Sequence, residues 1–395
     1  MTIPPQDAEV AAGQGGPPKP GPKPATRKRT FHRGDVVNFN PGRVDHQSRT
    51  FLQDFVLKGW LPEAPFVKRG TKITAFGSCF AANITRHLSS LGYDLSANRD
   101  PDIYISRMGD GMVNTASILG QFEWALENKK QRADLWHGQK AERYGYDEDI
   151  RLRTRDVFLA TELFIITLGL SEIWYDDMTG ETFWRAVPEQ SFIPGRHKFR
   201  VLSVEETRAD IAAIYGLIAK HVPDAKVLFT VSPIPLAATF RPVSCMTANS
   251  VSKAIIRAAL DEFLRSHEDA LNKRLFYFPS MEIAQFVFVD PWEDDGRHPR
   301  SYVLDTIMKA FEASYCLGEA TLDDANQMLR MFRAKNVRDI AKRRNDFPDY
   351  QELVNAANAT MQQTRKDREE ARSRERNLKA DPNAPPDDAG EDDDD

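Results

Sequence analysis

The feature that most constrains this chain is a repeated switch between short apolar runs and longer stretches with helical spacing. The short runs, rich in β-branched and aromatic residues, are Lys72–Phe76, Leu163–Leu168, Lys226–Val231 and Leu275–Phe278. The stretches with apolar residues at helical spacing are 80–91, 204–221, 248–267 and 300–315. Buried strands separated by helices need right-handed crossovers. The pattern therefore predicts a three-layer α/β domain with a mostly parallel sheet covered on both faces.

The two ends of the chain differ in composition from this α/β region, which we place at residues 45–318. Residues 1–34 contain seven Pro and five Gly and carry a net charge of +4, and residues 381–395 contain eight acids and no base. Such segments bury too little apolar surface to repay the entropy of ordering. We expect residues 1–34 and 380–395 to be disordered, and residues 322–379 to form a charged helical extension that packs on the domain or on a partner.

Composition excludes several classes of protein. With 28% charged residues and a longest apolar run at 164–170, the sequence predicts no membrane span. Three cysteines without a CxxC pair or a zinc-ligand spacing favour a reducing, cytoplasmic location and no metal. Once the charged ends are removed the body is nearly neutral, so nucleic acid is not an expected partner. The oligomeric state is left open.

The first candidate for chemistry is the turn after the strand Lys72–Phe76. Ser78 would lie at the carboxyl end of that strand and at the start of a helix, where free backbone N–H groups favour developing negative charge. The same Gly-Ser-Cys turn is also typical of a phosphate cradle or a helix cap. Cys79 is a rival nucleophile, because a helix N-terminus can lower the pKa of a thiol.

The second candidate is the Asp-Gly-Arg-His-Pro segment at 295–299. Asp295 stands three residues before His298, a spacing that lets a carboxylate fix the imidazole tautomer and leave the other nitrogen as a base. Among the eight histidines, His298 is the one that combines this spacing with a following proline, Pro299, which suits the first turn of a helix. Asp294 competes for the orienting role. A turn or capping pair ahead of the helix at 300–315, which we expect to be capped around Ser301, is the simpler alternative.

Taken together, these segments resemble the GSCFA family. Residues 77–81 spell Gly-Ser-Cys-Phe-Ala, and four further blocks similar to those of the family follow in order at 167–174, 231–236, 278–283 and 295–299. The resemblance covers roughly residues 45–315. The family is regarded as a relative of the SGNH/GDSL hydrolases, which implies a flavodoxin-like α/β/α sandwich and the activities of esterases, lipases and carbohydrate O-acyl transferases or deacylases.

The resemblance also implies roles for individual residues. Ser78 matches the nucleophile, His298 the general base and Asp295 the residue that orients the base. The block that helps to form the oxyanion hole falls on Gly169, Leu170 and Ser171, where serine replaces the asparagine of the family pattern. The missing hydrogen-bond donor has three alternatives, which are Asn114, the hydroxyl of Ser171, and the backbone N–H of Ser78 together with another loop.

The sequence therefore favours a serine-dependent ester hydrolase or O-acyl transferase that acts on a small-molecule or glycan ester and needs no cofactor. If the protein is a transferase, an acyl donor is a further partner. The alternative is a catalytically degenerate carbohydrate- or acyl-binding module. For that module, the aromatic residues Trp174, Tyr175, Phe183 and Trp184 would form a stacking platform, although they are also typical of hairpin packing.

Overall fold

The computed structural model describes residues 36–77, 79–108, 112–132, 136–138, 140–343 and 348–379. The chain divides into a unit of residues 1–41, of which 36–41 are described and hold no helix or strand, and a unit of residues 42–395. The segments predicted to be disordered, 1–34 and 380–395, lie outside the described residues. None of the described helices is apolar over a stretch long enough to cross a lipid bilayer.

The larger unit is built on a five-stranded sheet in which every neighbouring pair of strands is parallel. Its strands are β1 (Lys72–Phe76), β2 (Asp94–Leu95), β3 (Leu163–Leu168), β6 (Lys226–Val231) and β7 (Leu275–Phe278). Their spatial order is β2-β1-β3-β6-β7. This is the 2-1-3-4-5 order of flavodoxin-like sheets, so the predicted fold class is confirmed.

Helices cover both faces of this sheet. In chain order the helices are α1 (Cys79–Ser90), α2 (Ser96–Arg99), α3 (Tyr104–Met108), α4 (Thr115–Glu127), α5 (Glu148–Leu159), α6 (Val204–His221), α7 (Cys245–Arg265), α8 (Ser280–Val287), α9 (Ser301–Tyr315), α10 (Leu322–Arg343) and α11 (Pro348–Lys379). Short 3-10 or π turns occupy Asp45–Gln47, Leu52–Val56 and Glu189–Ser191.

Two apolar cores lie on opposite faces because successive side chains of a strand alternate in direction. On β3, Phe164, Ile166 and Leu168 pack in one core with helices α4 to α7. Leu163 and Ile165 pack in the other core with α1, α8 and α9. All five side chains are completely buried. A strand that is apolar on both sides is what a three-layer sandwich requires of its central strand.

A second, two-stranded sheet stands apart from the central one. Its antiparallel strands are β4 (Glu172–Asp176) and β5 (His197–Val201). The apolar residues at 173–175 predict a continuation of the strand Leu163–Leu168, and this prediction is wrong, because β3 and β4 are separate strands. The backbone N–H groups of Gly169 and Leu170 both donate to the carbonyl oxygen of Val113, so the chain turns away there before β4 begins.

The start of α9 also differs from the prediction. Arg300 occupies the N-cap position without a side-chain capping bond, and Ser301 is the first residue of the helix. The guanidinium of Arg300 forms ion pairs with Asp290 and Glu293 instead. The backbone N–H of Arg300 donates to Pro291, and this bond fixes the chain at the base of the turn that precedes the helix.

The predicted charged extension consists of α10 and α11. Helix α10 packs on the domain through two buried asparagines. Asn326 accepts a hydrogen bond from the backbone N–H of Leu52 at 3.0 Å, and Asn336 accepts from the backbone N–H groups of Val289 and Asp290 at 3.2 and 3.3 Å. Of α11, residue 352 and residues 355–374 are exposed.

Candidate active site

The candidate site lies at the carboxyl ends of three neighbouring strands. Because β1, β3 and β6 pair in parallel register, Gly77, Gly169 and Ser232 follow three adjacent strand ends. The order of the sheet reverses between β1 and β3. Ligands of open α/β sheets bind in the crevice at such a switch point.

Gly77 ends β1 in a conformation that excludes a side chain. Its φ is +131°, and a Cβ atom there would lie 2.2 Å from the carbonyl oxygen of Thr167. Glycine at this position lets β1 approach β3 closely just before helix α1 begins at Cys79. The predicted nucleophile Ser78 joins these two elements in the sequence and lies outside the described residues, as does the side chain of Cys79.

Asp295 and His298 lie in a tight turn that bridges Trp292 and Pro299. Gly296 supplies a left-handed φ of +67°. Nδ1 of His298 lies 2.5 Å from Oδ2 of Asp295, and Oδ1 of Asp295 accepts the backbone N–H groups of Arg297 and His298 at 2.9 and 3.0 Å. The turn therefore places the carboxylate and the imidazole together through local bonds alone.

These bonds determine the chemistry of the pair. The hydrogen bond from His298 and the two backbone N–H groups hold the pKa of Asp295 well below its usual range, so Asp295 is a carboxylate at neutral pH. A carboxylate can only accept hydrogen bonds, so Nδ1 of His298 carries a hydrogen, and in the neutral imidazole Nε2 is the nitrogen with the lone pair. The His298 side chain is 48% exposed.

Of the two adjacent aspartates, Asp295 makes the contact to the imidazole. The spacing of three residues closes a compact turn in which the same carboxylate also caps two backbone N–H groups. Asp294 bonds to neither ring nitrogen of His298 among the described contacts.

A cavity of about 340 Å³ opens beside this turn and reaches the ends of β3 and β6. Its polar lining includes Asn114, Ser232, Arg185 and Arg297. Most of the remaining wall is apolar. Side chains from the β4–β5 hairpin and from residues 234–240 form that wall, among them Trp174, Trp184, Phe199, Leu236 and Phe240.

The three residues proposed for the oxyanion hole have different environments. The N–H of Gly169 donates to Val113, and Ser171 is completely buried with its hydroxyl 3.2 Å from that of Ser252. Asn114 lines the cavity, and its Oδ1 caps α4 by accepting from the backbone N–H of Ser117 at 2.8 Å. Because the cap uses Oδ1, the amide nitrogen of Asn114 is left for other hydrogen bonds.

Behind this cavity lies a buried lysine. Lys253 projects from α7 and donates through Nζ to the carbonyl oxygens of Gly169 at 2.7 Å and Ser232 at 2.8 Å. It thereby joins the ends of β3 and β6 at the cavity. Burial lowers its pKa to about 7.

The aromatic residues predicted to form a platform are divided between the core and the cavity. Phe183 and Trp184 are buried, and Trp184 stacks on Trp136 with ring centroids 4.4 Å apart. Trp174 is partly exposed, lines the cavity and packs edge-on against Phe240 at 5.0 Å. Hairpin packing therefore accounts for part of the group, and Trp174 remains available to a ligand.

Sequence reasoning missed Lys253 and the two cavity arginines, Arg185 and Arg297. Lys253 carried a usable signal, because it follows the buried Ser252 and stands three residues before the buried Ile256, on the apolar face of α7. The arginines had no such signal, since charged side chains are common in turns. No cluster of three or more possible metal ligands occurs in the part of the chain that the structure describes.

The chain was compared with curated proteins and with solved structures. A search of curated proteins finds no match. Among solved structures, a carbohydrate esterase of family 3 from Talaromyces cellulolyticus is similar at 12% identity and a TM-score of 0.31, over 61% of this chain and 94% of that one. An acetyl xylan esterase from the rumen bacterium Butyrivibrio proteoclasticus is similar at 12% identity and a TM-score of 0.22, over 55% and 56%. Both TM-scores are too low to carry an argument about activity.

The sequence profile of one family does match. The GSCFA family model covers residues 72–311, from the first residue of β1 into α9, which is more than half of the chain. The matched region includes the Gly77 turn, the strand ends at the cavity and the Asp295–His298 turn. The chain belongs to the GSCFA family.

Proposed function

We propose that this protein is a serine-dependent hydrolase or O-acyl transferase of acyl esters, with an acetylated or otherwise acylated carbohydrate as its substrate. The observation that supports the proposal most is the Asp295–His298 pair. An exposed imidazole oriented by a carboxylate, in a turn whose Arg297 lines the cavity, is the arrangement that general-base catalysis requires.

In the proposed mechanism, Nε2 of His298 accepts the hydroxyl proton of Ser78 as Oγ attacks the acyl carbonyl carbon. Asp295 stabilises the resulting imidazolium and holds the ring in the required tautomer. Collapse of the tetrahedral intermediate expels the alcohol, which takes the proton from His298. The acyl group on Ser78 then passes to water in a hydrolase, or to the hydroxyl of an acceptor in a transferase.

The negative oxygen of the tetrahedral intermediate needs donors. We assign Asn114 Nδ2 to this role because the helix cap fixes the side chain at the cavity and uses its oxygen, not its nitrogen. Loss of one such donor typically costs about 2.7–4 kcal/mol of transition-state stabilisation. Ser171, the residue at the family's usual position, is turned toward Ser252 and does not compete.

A fluorophosphonate probe tests the nucleophile directly. An activated serine displaces fluoride and gains the phosphonyl mass, which intact-protein mass spectrometry detects. We expect the wild type and Cys79→Ala to be labelled and Ser78→Ala to remain unlabelled. His298→Asn should slow labelling strongly, because the serine loses its base.

Two outcomes contradict the proposal. If Ser78→Ala is labelled as fast as the wild type, another residue is the nucleophile. If Cys79→Ala abolishes labelling and Ser78→Ala does not, the thiol is that residue.

The second candidate function is a binding module that does not turn over esters. The apolar cavity wall with Trp174 supports it, because aromatic rings stack on sugars. Glycan binding by Ser78→Ala, together with no hydrolysis of any acyl ester by the wild type, would favour the module. Hydrolysis that depends on both Ser78 and His298 would exclude it.

A further inference from the structure

We propose that the substrate of this cavity carries an anionic group, in the simplest case a carboxylate, which Arg297 and Arg185 bind. This inference rests on the proposed function, because it identifies the class of ester that the same site takes. It concerns recognition, however, and binding can be measured without turnover.

Arg297 is the first reason. It lies between Asp295 and His298 in the turn and lines the cavity. One hydrogen bond, from Nη2 to the carbonyl oxygen of Pro235 at 3.4 Å, holds the guanidinium. Its Nε is buried without a hydrogen-bond partner among the described residues. A buried donor without an acceptor costs free energy that a ligand oxygen would recover.

Arg185 is the second reason. It follows the buried Trp184 and also lines the cavity, while remaining partly exposed. Within residues 36–77, 79–108, 112–132, 136–138, 140–343 and 348–379, no carboxylate forms an ion pair with Arg185 or with Arg297. Elsewhere in the domain, arginines such as Arg151, Arg153 and Arg196 are paired with acids.

Among the described residues that line this cavity, Glu172 is the one acid, and it is otherwise engaged. Both of its carboxylate oxygens accept the hydroxyl of Thr239, at 2.8 and 3.0 Å. Two guanidinium groups and one carboxylate thus give the described part of the lining a net positive charge. In a mostly apolar cavity a charge is weakly screened, so an anionic ligand gains more binding free energy there than at an open surface.

That both cationic residues are arginines indicates which class of anion the cavity binds. A guanidinium presents a planar fork of donors that matches the two oxygens of a carboxylate, and it retains its charge at every working pH. Because Arg297 is adjacent to His298 in the sequence, the anionic group would lie beside the proposed reaction centre. An ester of a uronic acid, or a half-ester of a dicarboxylic acid, has this combination of features.

The experiment compares matched neutral and anionic esters. On the acyl side the pair is p-nitrophenyl pentanoate and p-nitrophenyl hemiglutarate, and on the alcohol side it is the monoacetates of methyl glucoside and methyl glucuronoside. We expect the anionic member of one pair to have a kcat/KM about tenfold to a hundredfold higher. Arg297→Met and Arg185→Met should each reduce that preference, and Arg297→Lys should restore part of it.

A matched control removes a charge elsewhere. Arg208 lies on α6, where it faces Glu262 of α7 at 3.7 Å and does not line the cavity. Arg208→Met should keep the full preference for the anionic ester. If it loses the preference to the same degree, the effect comes from net charge and the proposed site is wrong.

A binding measurement separates this inference from the proposed reaction. Ser78→Ala is titrated calorimetrically with glutarate, glucuronate and inorganic phosphate, with and without Arg297→Met or Arg185→Met. If both arginine variants weaken binding of the anions and the wild type hydrolyses no ester, the result supports anion recognition and contradicts the hydrolase. Equal hydrolysis of neutral and anionic esters, with no arginine-dependent binding, overturns this inference and leaves the hydrolase standing. Binding of phosphate in preference to both carboxylates would contradict the carboxylate assignment.

Discussion

At the scale of single residues, the candidate site depends on two positions, Gly77 and Asp295, at which the residue type cannot be exchanged. Gly77 is set by backbone contact, since the space for a Cβ is filled by Thr167. Asp295 accepts the two backbone N–H groups of its turn and contacts the imidazole of His298. A substitution at Gly77 should therefore change stability, and a substitution at Asp295 should change the chemistry of the imidazole, so the two positions call for different measurements.

Gly77→Ala should destabilise the domain by about 3 kcal/mol, since it adds a clash at 2.2 Å to an unfavourable φ. Urea denaturation followed by circular dichroism measures this change. Gly180→Ala is the control, because Gly180 has a φ of +74° with no atom near its missing Cβ. It should cost only about 1 kcal/mol. Equal losses for the two variants would show that the contact with Thr167 is not the cause.

Asp295→Asn should reduce kcat for ester hydrolysis on the order of a thousandfold or more, because an amide no longer selects the tautomer with hydrogen on Nδ1. Steady-state kinetics on a chromogenic ester measures the loss. Asp294→Asn, one position away, should keep most of the wild-type kcat, since Asp295 supplies the contact to Nδ1 of His298. The opposite ranking of the two variants would reassign the orienting role to Asp294.

At the scale of elements, α10 supports the turn that holds Asp295 and His298. Asn336 accepts the backbone N–H groups of Val289 and Asp290 and donates to the carbonyl oxygen of Asp290 at 2.7 Å, just ahead of the turn at 292–299. Arg333 of the same helix donates to the carbonyl oxygen of Val287 at 2.9 Å. A helix that looks peripheral in the sequence thus holds the chain that leads to His298.

Removing residues 321–395 should therefore lower the free energy of unfolding by about 5 kcal/mol or prevent folding, since it removes the buried Leu329 from the core and leaves the buried backbone N–H of Leu52 without its acceptor. Removing only 344–395 should change it by less than about 1 kcal/mol, because α11 is exposed where its side chains are described. Thermal denaturation compares the two proteins.

Asn336→Leu is a milder test of the same contact, with an expected loss of about 2 kcal/mol. If the two truncated proteins were equally stable, or if Asn336→Leu were neutral, α10 would not support the turn.

At the scale of the whole molecule, one buried lysine links the free energy of unfolding to pH. The Lys253 side chain is buried, and burial lowers its pKa from the ordinary 10.5 to about 7. Between pH 7 and 10.5 the unfolded chain binds a proton that the folded protein has lost. The contribution of Lys253 to the free energy of unfolding therefore rises with pH across this window. This contribution is complete above pH 10.5 and is lost as the pH falls to 7.

The difference in unfolding free energy between the wild type and Lys253→Met should accordingly change with pH, with a slope of up to ~1.4 kcal/mol per pH unit in favour of the wild type. Denaturant titrations at several pH values from 7 to 10 provide the measurement. Lys58→Met, at an exposed lysine, is the control and should follow the wild type in parallel. A Lys253→Met curve parallel to the wild type would mean that Lys253 is charged in the folded protein.

Local sequence patterns correctly predicted the four long strands of the sheet and the helices α1, α6, α7 and α9, with boundaries within a few residues. Apolar runs and helical periods are properties of neighbouring residues, so they are readable without the fold. Strand β5 was missed because a short strand with three basic residues, His197, Lys198 and Arg200, lacks an apolar run. The segment His197–Val201 forms a strand because it pairs with the antiparallel strand β4.

By itself, the sequence determined the parallel α/β architecture, the glycine turn after β1 and the pairing of Asp295 with His298, because each arises from residues close together along the chain. The tertiary structure alone decided that Asn114, Arg185 and Arg297 line one cavity and that Lys253 lies behind it. Those groups come from segments up to 183 positions apart. Only the packing of helices and hairpin against the strand ends brings them together, and no local period encodes that packing.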